Sequence, residues 1–249
     1  MRCAGPSRVS SFAATAWRVV EAQHQVSTRK LVDTLEEQQL LEQIVDQVKP
    51  SLPPEPAFAG LHYLLSTPFR HPPLLRGTRF GSAAERSLWY GALRVETSLA
   101  EKAYYQLLFA QGTAAAFDHL TCDWTAFSAA VATERAVDLT APAFAAFARP
   151  LNSPVSYAAT QKLGRQMRAS GVIAFVFTSA RCPSHGKAIG LFSPAFAAKK
   201  PGAFQTWKCI VTTTGCEVVR LNGARAPLVF PRAAFEIDGK FPAPSTNPP

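Results

Sequence analysis

The spacing of apolar residues predicts two long helices. Between residues 31 and 48, Leu, Ile and Val recur at nearly helical spacing with Glu and Gln between them, and Pro50 ends the pattern. We predict an amphipathic helix there, with a solvated acidic face, inside a helical N-terminal extension over about residues 27–60. A second helical pattern covers residues 97–111 and follows a short strand-like run at 87–91. This order predicts a strand-to-helix unit.

Several short runs are typical of strands. Residues 16–20 (AWRVV) and 171–177 (GVIAFVF) are rich in β-branched and aromatic residues. The second run is apolar on both faces, so we predict that it forms a central strand. Residues 206–221 predict a hairpin, and PLVF at 227–230 predicts a further strand.

Two polar residues are predicted to begin further helices. Asp123 precedes Trp124, Phe127 and Val131, and Ser156 precedes a helical pattern that ends near Met167. Prolines 68, 72 and 73 favour an extended loop. We therefore expect one α+β domain over residues 16–235, with tails at 1–15 and 240–249 that lack regular structure.

Composition favours a cytoplasmic globular protein. The 249 residues are 47% hydrophobic, enough for a core, and no apolar run approaches the roughly 20 residues of a membrane-spanning helix. The five cysteines contain no CxxC pair, so we predict neither a disulfide framework nor a zinc cluster. Cys209 and Cys216 are the one pair that a hairpin would bring near each other.

The positive charge is concentrated in one segment. The net charge is +9, and nine Lys and Arg but no acidic residue lie between Asp138 and Glu217. Such a segment favours an anionic ligand, which leaves a nucleotide, a nucleic acid or an acidic protein. Interleaved aromatic residues and zinc fingers are missing, so non-enzymatic nucleic-acid binding ranks last.

Several nucleotide and metal motifs are absent, and five residues remain as candidates. The chain has no GxGxxG, HExxH or complete phosphate loop, and its histidines show no metal-ligand spacing. Arg79 stands between Gly77 and Gly81, where an anion could approach the backbone. Glu101 is predicted in the first turn of a helix, where its carboxylate could stabilise the positive charge that develops on a sugar when an N-glycosidic bond is cleaved. The candidates are Arg18, Arg79, Tyr90, Glu101 and Ser179.

Structural roles compete with the catalytic ones. Ser98 and Glu101 fit the S-x-x-E capping box, in which the glutamate binds backbone amides at a helix start. In the structural alternative, Tyr90 is a core residue, Arg79 is a solvated or salt-bridged residue, and Ser179 is a turn residue. The residue pattern leaves these alternatives open.

Five motifs in a fixed order resemble the RES domain family, named for its Arg, Glu and Ser. They are GTRFG (77–81), LWYG (88–91), SLAEKAYY (98–105), AWRVVE (16–21) upstream and GVIAFVFTSAR (171–181) downstream. The resemblance implies a fold like that of ADP-ribosyltransferase toxins, with a mixed central sheet flanked by helices. The chain departs from the family pattern at Lys187, near a position where the family usually has an asparagine. This lysine would add a phosphate contact at the edge of the pocket.

The resemblance also implies an activity. RES proteins are toxins that are neutralised by Xre-type antitoxins, and they degrade NAD⁺. The chain would then be an NAD⁺ phosphorylase or NAD⁺ glycohydrolase that cleaves the nicotinamide–ribose bond with phosphate or water as acceptor. NAD⁺ would be a substrate and not a cofactor, no metal would be needed, and nucleic acid would be contacted only through the antitoxin. ADP-ribosyl transfer to a protein is the alternative enzymatic reading.

Residue roles follow by position in these motifs. Arg18 and Arg79 would hold the phosphates and ribose of NAD⁺, and Tyr90 would pack on its nicotinamide side. Glu101 would be the catalytic carboxylate, and Ser179 would orient the substrate.

Overall fold

The computed structural model describes residues 8–22, 33–113, 118–223 and 226–243. It contains five helices and eight strands within those ranges. The helices are α1 (Leu35–Val48), α2 (Tyr63–Arg70), α3 (Val95–Gln111), α4 (Ala148–Leu151) and α5 (Ala158–Ala169). The strands are β1 (Ser10–Glu21), β2 (Trp89–Ala92), β3 (Leu120–Asp138), β4 (Ala174–Thr178), β5 (Lys187–Leu191), β6 (Phe204–Val211), β7 (Gly215–Arg220) and β8 (Leu228–Pro231).

All eight strands belong to one mixed sheet, in the order β1-β2-β5-β4-β3-β6-β7-β8. β1 also pairs with β3, so the strands from β1 to β3 in that order close on themselves. β3 and β4 run parallel, and the other described pairs are antiparallel. The predicted mixed α+β fold is therefore confirmed, including the central position of β4 and the β6–β7 hairpin.

Helices cover the sheet and bury three apolar clusters. Each cluster joins one helix to neighbouring strands through large side chains that water does not reach. The clusters are centred on Leu99, Leu107, Trp124 and Trp207 for α3, on Leu163, Met167, Phe80 and Phe175 for α5, and on Leu65, Phe69, Trp89 and Ile189 for α2.

The prediction of a helix after Asp123 is wrong, because this segment belongs to β3. With 19 residues, β3 is the longest strand described. Trp124 pairs with Trp207 of β6, and Phe127 pairs with Arg18 of β1. Residues 126–129 are all buried, since partners cover both faces of the strand. Because every position of this stretch is buried, the sequence there does not show the alternation of apolar and polar residues that indicates a strand.

Both predicted tails are shorter than expected. β1 begins at Ser10, and Thr15 pairs with Ala130 of β3, so residues 10–15 are part of the sheet. At the other end, the Phe241 ring stacks on the Tyr104 ring at 5.2 Å, and the Tyr104 hydroxyl donates to the Pro242 carbonyl oxygen. Residues 1–7 and 244–249 lie outside the described ranges.

Other predictions hold with small changes. Pro68 lies inside α2 and not in the predicted loop. The helix predicted after Ser156 is α5, for which Tyr157 is the capping residue. Cys209 faces Cys122 and Val218 across its neighbouring strands and forms no disulfide with Cys216.

The N-terminal extension contains the predicted helix, although part of the pattern lies outside the described ranges. α1 covers Leu35–Val48, whereas residues 23–32 are not described. Its apolar residues Leu35, Leu40, Ile44 and Val48 are 48–75% exposed. No helix among the described residues is long and apolar enough to cross a membrane.

Candidate active site

A cavity of about 380 Å³ opens where β1, β2 and α3 meet. Arg18 comes from β1, Tyr90 from β2 and Glu101 from α3, and Arg79 comes from the loop that precedes β2. Ser179 follows β4 and lies behind the cavity wall, in contact with Glu101. The structure thus brings together all five residues that the sequence singles out.

The capping-box alternative for Glu101 is wrong. α3 begins at Val95, so Ser98 and Glu101 are its fourth and seventh residues and lie beyond the first turn. Ser98 N already donates to the Arg94 carbonyl oxygen at 3.3 Å. The Glu101 side chain instead accepts a hydrogen bond from the Ser179 hydroxyl and faces the cavity.

A hydrogen bond from Ser179 fixes the orientation of the Glu101 carboxylate. The Ser179 side chain is fully buried, and its oxygen accepts hydrogen bonds from the backbone amides of Arg181 (3.1 Å) and Cys182 (2.9 Å). The hydroxyl has a single hydrogen, and that hydrogen goes to Glu101 Oε1. The residue is therefore a turn residue and a partner of the carboxylate at once.

Arg79 is buried without a carboxylate in direct contact among the described residues. Its Nη2 donates to the Leu151 carbonyl oxygen, and its guanidinium lies 5.3 Å from the centre of the Phe177 ring. Burial lowers the pKa of Arg79, and the negative charge of Glu101 partly offsets that effect. Its Nε has no hydrogen-bond partner in the described part of the chain. Arg79 thus adds a positive charge to the cavity lining without a carboxylate of the described residues in contact to neutralise it.

A tight loop presents Arg79. Gly77 has a φ of +65°, and a Cβ there would overlap the Gly81 carbonyl oxygen, which accepts from Thr78 N at 2.7 Å. Gln161 of α5 donates to the carbonyl oxygens of Arg76 and Thr78, both at 3.0 Å. The glycines of the GTRFG motif are needed for this geometry.

Tyr90 supports the same loop with its hydroxyl. The hydroxyl accepts from Phe80 N at 3.0 Å and lies 3.0 Å from Thr78 Oγ1. Burial raises the pKa of Tyr90 to about 12. Its ring meets Phe177 edge to face, with centroids 6.2 Å apart. These contacts show a positioning role for the hydroxyl that the sequence did not indicate.

Arg18 lines the cavity next to Tyr90. Its Nη1 donates to the Tyr90 carbonyl oxygen at 2.6 Å, and its guanidinium lies 5.8 Å from the Trp89 ring centre. Burial lowers the pKa of Arg18 to about 10. Its Nε also lacks a partner among the described residues.

Arg181 is a cavity residue that sequence reasoning did not assign. It is 5% exposed, its guanidinium lies 3.8 Å from the Tyr104 ring centre, and Nη2 donates to the Pro154 carbonyl oxygen at 2.7 Å. It stands two residues after Ser179 in the GVIAFVFTSAR motif, and that position was the available signal. Arg76, Lys102, Tyr105 and Tyr157 also line the cavity without having been singled out.

The charge of the cavity favours an anion. Its lining contains Arg18, Arg76, Arg79, Lys102 and Arg181 but only one carboxylate, that of Glu101. Lys187, the first residue of β5, is not in the lining. Its Nζ lies 3.5 Å from Oδ2 of Asp138, so a phosphate contact by Lys187 would lie outside this cavity. The described residues contain no His, Cys, Asp and Glu group arranged to hold a metal ion.

Comparison with known proteins agrees with the motifs. No curated protein sequence matches the chain. Among solved structures, it is similar to a chain of the M. tuberculosis MbcT-MbcA toxin-antitoxin complex, at 12% identity and a TM-score of 0.43, over 74% of this chain and 75% of that one. The RES domain matches residues 54–211, which include Arg79, Tyr90, Glu101 and Ser179 but not Arg18. This match covers more than half of the 249 residues, and the chain therefore belongs to the RES domain family.

Proposed function

We propose that this protein cleaves the nicotinamide–ribose bond of NAD⁺ and depletes NAD⁺ in the cytoplasm as the toxin of a toxin–antitoxin pair. The observation that carries the proposal is the single carboxylate, Glu101, which Ser179 holds in a cavity whose other charged lining residues are all cations. A dinucleotide requires this combination, because its pyrophosphate is anionic and its scissile bond develops positive charge on the sugar.

The reaction follows from this arrangement. The bond between ribose C1′ and the nicotinamide nitrogen breaks, and nicotinamide leaves as a neutral molecule with the bonding electrons. Glu101 stabilises the positive charge that develops on C1′ and the ring oxygen. The oxygen of water, which releases one proton to solvent, or an oxygen of inorganic phosphate then bonds to C1′.

The remaining side chains bind and orient the substrate. Arg79, Arg18 and Arg181 hold the pyrophosphate through charge-assisted hydrogen bonds, since all three residues line the cavity. Tyr90 and Phe177 provide the aromatic wall on the nicotinamide side. No cofactor takes part in this scheme.

The test is NMR of NAD⁺ incubated with the purified chain and with its Glu101→Gln variant. Glutamine keeps an acceptor for Ser179 but removes the charge, so we expect a loss of roughly 100-fold or more in kcat. Glu96→Gln, at a partly exposed position in the first turn of α3 that does not line the cavity, is the matched control and should keep full activity. A Glu101→Gln variant as fast as wild type would exclude the proposed chemistry.

The same experiment identifies the acceptor. ADP-ribose 1″-phosphate formed only with added phosphate indicates a phosphorylase, and ADP-ribose in both buffers indicates a glycohydrolase. Label transferred from NAD⁺ to lysate proteins would instead indicate an ADP-ribosyltransferase.

Membership of the RES family supports an antitoxin partner of the Xre type. Co-expression with the protein encoded beside it should restore growth to cells that produce this chain. Growth arrest that persists in spite of a stable complex would count against neutralisation by that protein.

A further inference from the structure

Two tyrosine hydroxyls meet at the cavity wall. Tyr105 lies on α3, one turn after Glu101, and Tyr157 caps the start of α5. Their hydroxyl oxygens are 3.2 Å apart, and both residues line the cavity. Neither residue was assigned a role in the cleavage reaction.

The hydrogen bonds of this pair are incomplete. Each phenol has one hydrogen and can also accept, and either one can be the donor in their mutual bond. That bond uses one of the two hydrogens, and the described residues offer neither hydroxyl a further partner. The pair therefore presents one free donor and free acceptor positions at the cavity, where Tyr157 is 8% and Tyr105 is 49% exposed. A ligand in the cavity can complete the hydrogen bonds of both hydroxyls.

The pair shares the cavity with the carboxylate and with the arginine that would bind phosphate. Residues four apart on a helix share a face, so Tyr105 projects beside Glu101. Tyr157 lines the same cavity as Arg79, whose Nη2 donates to the carbonyl oxygen of Leu151, six residues before Tyr157. In a dinucleotide, the part between the pyrophosphate and the scissile bond is a ribose.

We propose that the hydroxyls of Tyr157 and Tyr105 bind the 2′,3′-diol of the ribose that carries nicotinamide, so that the pocket selects nucleotides with an intact vicinal diol. One sugar hydroxyl accepts from the free phenol hydrogen, and the other donates to a phenol oxygen. Two hydroxyls that together offer one hydrogen and free acceptor positions match a diol, which both donates and accepts, better than a phosphate, which mainly accepts. This inference rests on the proposed cleavage of NAD⁺.

A cycle of enzyme and substrate variants tests the contact. Tyr157→Phe and Tyr105→Phe each remove one hydroxyl and keep the ring. The substrates are NAD⁺ and its analogues that lack either the 2′- or the 3′-hydroxyl of the nicotinamide ribose. We expect kcat/KM for NAD⁺ to fall about tenfold in Tyr157→Phe. The fall should shrink to less than about threefold with one of the two analogues.

The control is Tyr63→Phe, because Tyr63 is 51% exposed on α2 and does not line the cavity. It should behave as wild type with every substrate. Equal losses for NAD⁺ and both deoxy analogues in Tyr157→Phe would overturn the proposal, since the hydroxyl would then act on something other than the diol.

Binding separates this inference from the proposed function. Calorimetry with the Glu101→Gln variant compares the affinities of NAD⁺ and the two analogues, with and without Tyr157→Phe. If wild type leaves NAD⁺ intact, the cleavage proposal fails, and the calorimetric comparison still decides the diol contact. If wild type cleaves NAD⁺ but the Tyr157→Phe loss is the same for all three ligands, only the diol contact fails.

Discussion

The hydroxyl of Ser179 donates a hydrogen bond to Oε1 of Glu101 and thereby joins the end of β4 to α3 across 78 positions of sequence. The same oxygen accepts from the amides of Arg181 and Cys182. One buried side chain thus orients the carboxylate and shapes the turn that carries Arg181.

Ser179→Ala should reduce both activity and stability. It frees the Glu101 carboxylate and leaves two buried amides without an acceptor, which costs about 1–3 kcal/mol in the free energy of unfolding. Denaturant unfolding and NAD⁺ turnover measure the two effects. Ser66→Ala is the control, since Ser66 is similarly buried on α2 but bonds to backbone carbonyl oxygens at the start of its own helix and not to Glu101. Wild-type turnover in Ser179→Ala would contradict an orienting role.

Arg181→Lys should weaken substrate binding. Lysine cannot lie flat over the Tyr104 ring and donate to the Pro154 carbonyl oxygen with the geometry of a guanidinium. We expect KM for NAD⁺ to rise roughly tenfold, with a smaller change in kcat. Arg165→Lys on the exposed face of α5 should leave both constants unchanged. An unchanged KM in Arg181→Lys would remove Arg181 from the binding site.

Gly164→Ala should destabilise the protein even though alanine favours helices by about 1 kcal/mol. A Cβ at this position of α5 would overlap the Phe80 carbonyl oxygen, directly beside Arg79. The helix and the arginine loop must separate, and we expect a loss of about 1–3 kcal/mol in the free energy of unfolding. Gly112→Ala is the control, because its nearest neighbour would be at an ordinary 3.5 Å. Equal stability of the two variants would contradict the close approach.

Tyr90→Phe should show a distinctive dependence on pH. Below pH 10 the phenol is protonated in the folded and the unfolded chain, and its bond to Phe80 N is fully present. Between the ordinary pKa and the folded value of about 12, only the unfolded chain ionises, so the wild type loses stability as the pH rises. The stability difference between wild type and Tyr90→Phe should therefore shrink by about 1.4 kcal/mol per unit of pKa separation. Denaturant unfolding at several pH values measures it, and a difference that stays constant above pH 10 would contradict the raised pKa.

Local motifs located the site, whereas tertiary contacts decided what each residue does. The five candidate residues were visible because short strings surround them. Spacing alone could not distinguish a cap from a catalytic carboxylate at Glu101, since S-x-x-E occurs at the right distance and only the earlier start of α3 at Val95 excludes the cap. Tyr157 had no local signal, because its partner Tyr105 is 52 positions away.

The misassigned elements have related causes. Asp123 resembles a helix cap because the residues that follow it in β3 include a stretch, 126–129, that is buried at every position and does not alternate. Residues 10–15 and 240–243 looked like tails because their composition is small, polar or rich in proline. Pairing with β3 and stacking on Tyr104 stabilise them, and these partners are remote in sequence.

The stack of Phe241 on Tyr104 has a consequence for biosynthesis. Tyr104 carries the Arg181 guanidinium on its ring and bonds through its hydroxyl to Pro242. The wall of the cavity that contains Arg181 can reach its final packing only after residue 242 has left the ribosome. A nascent chain that has been translated only as far as residue 240 therefore lacks the complete wall of this cavity.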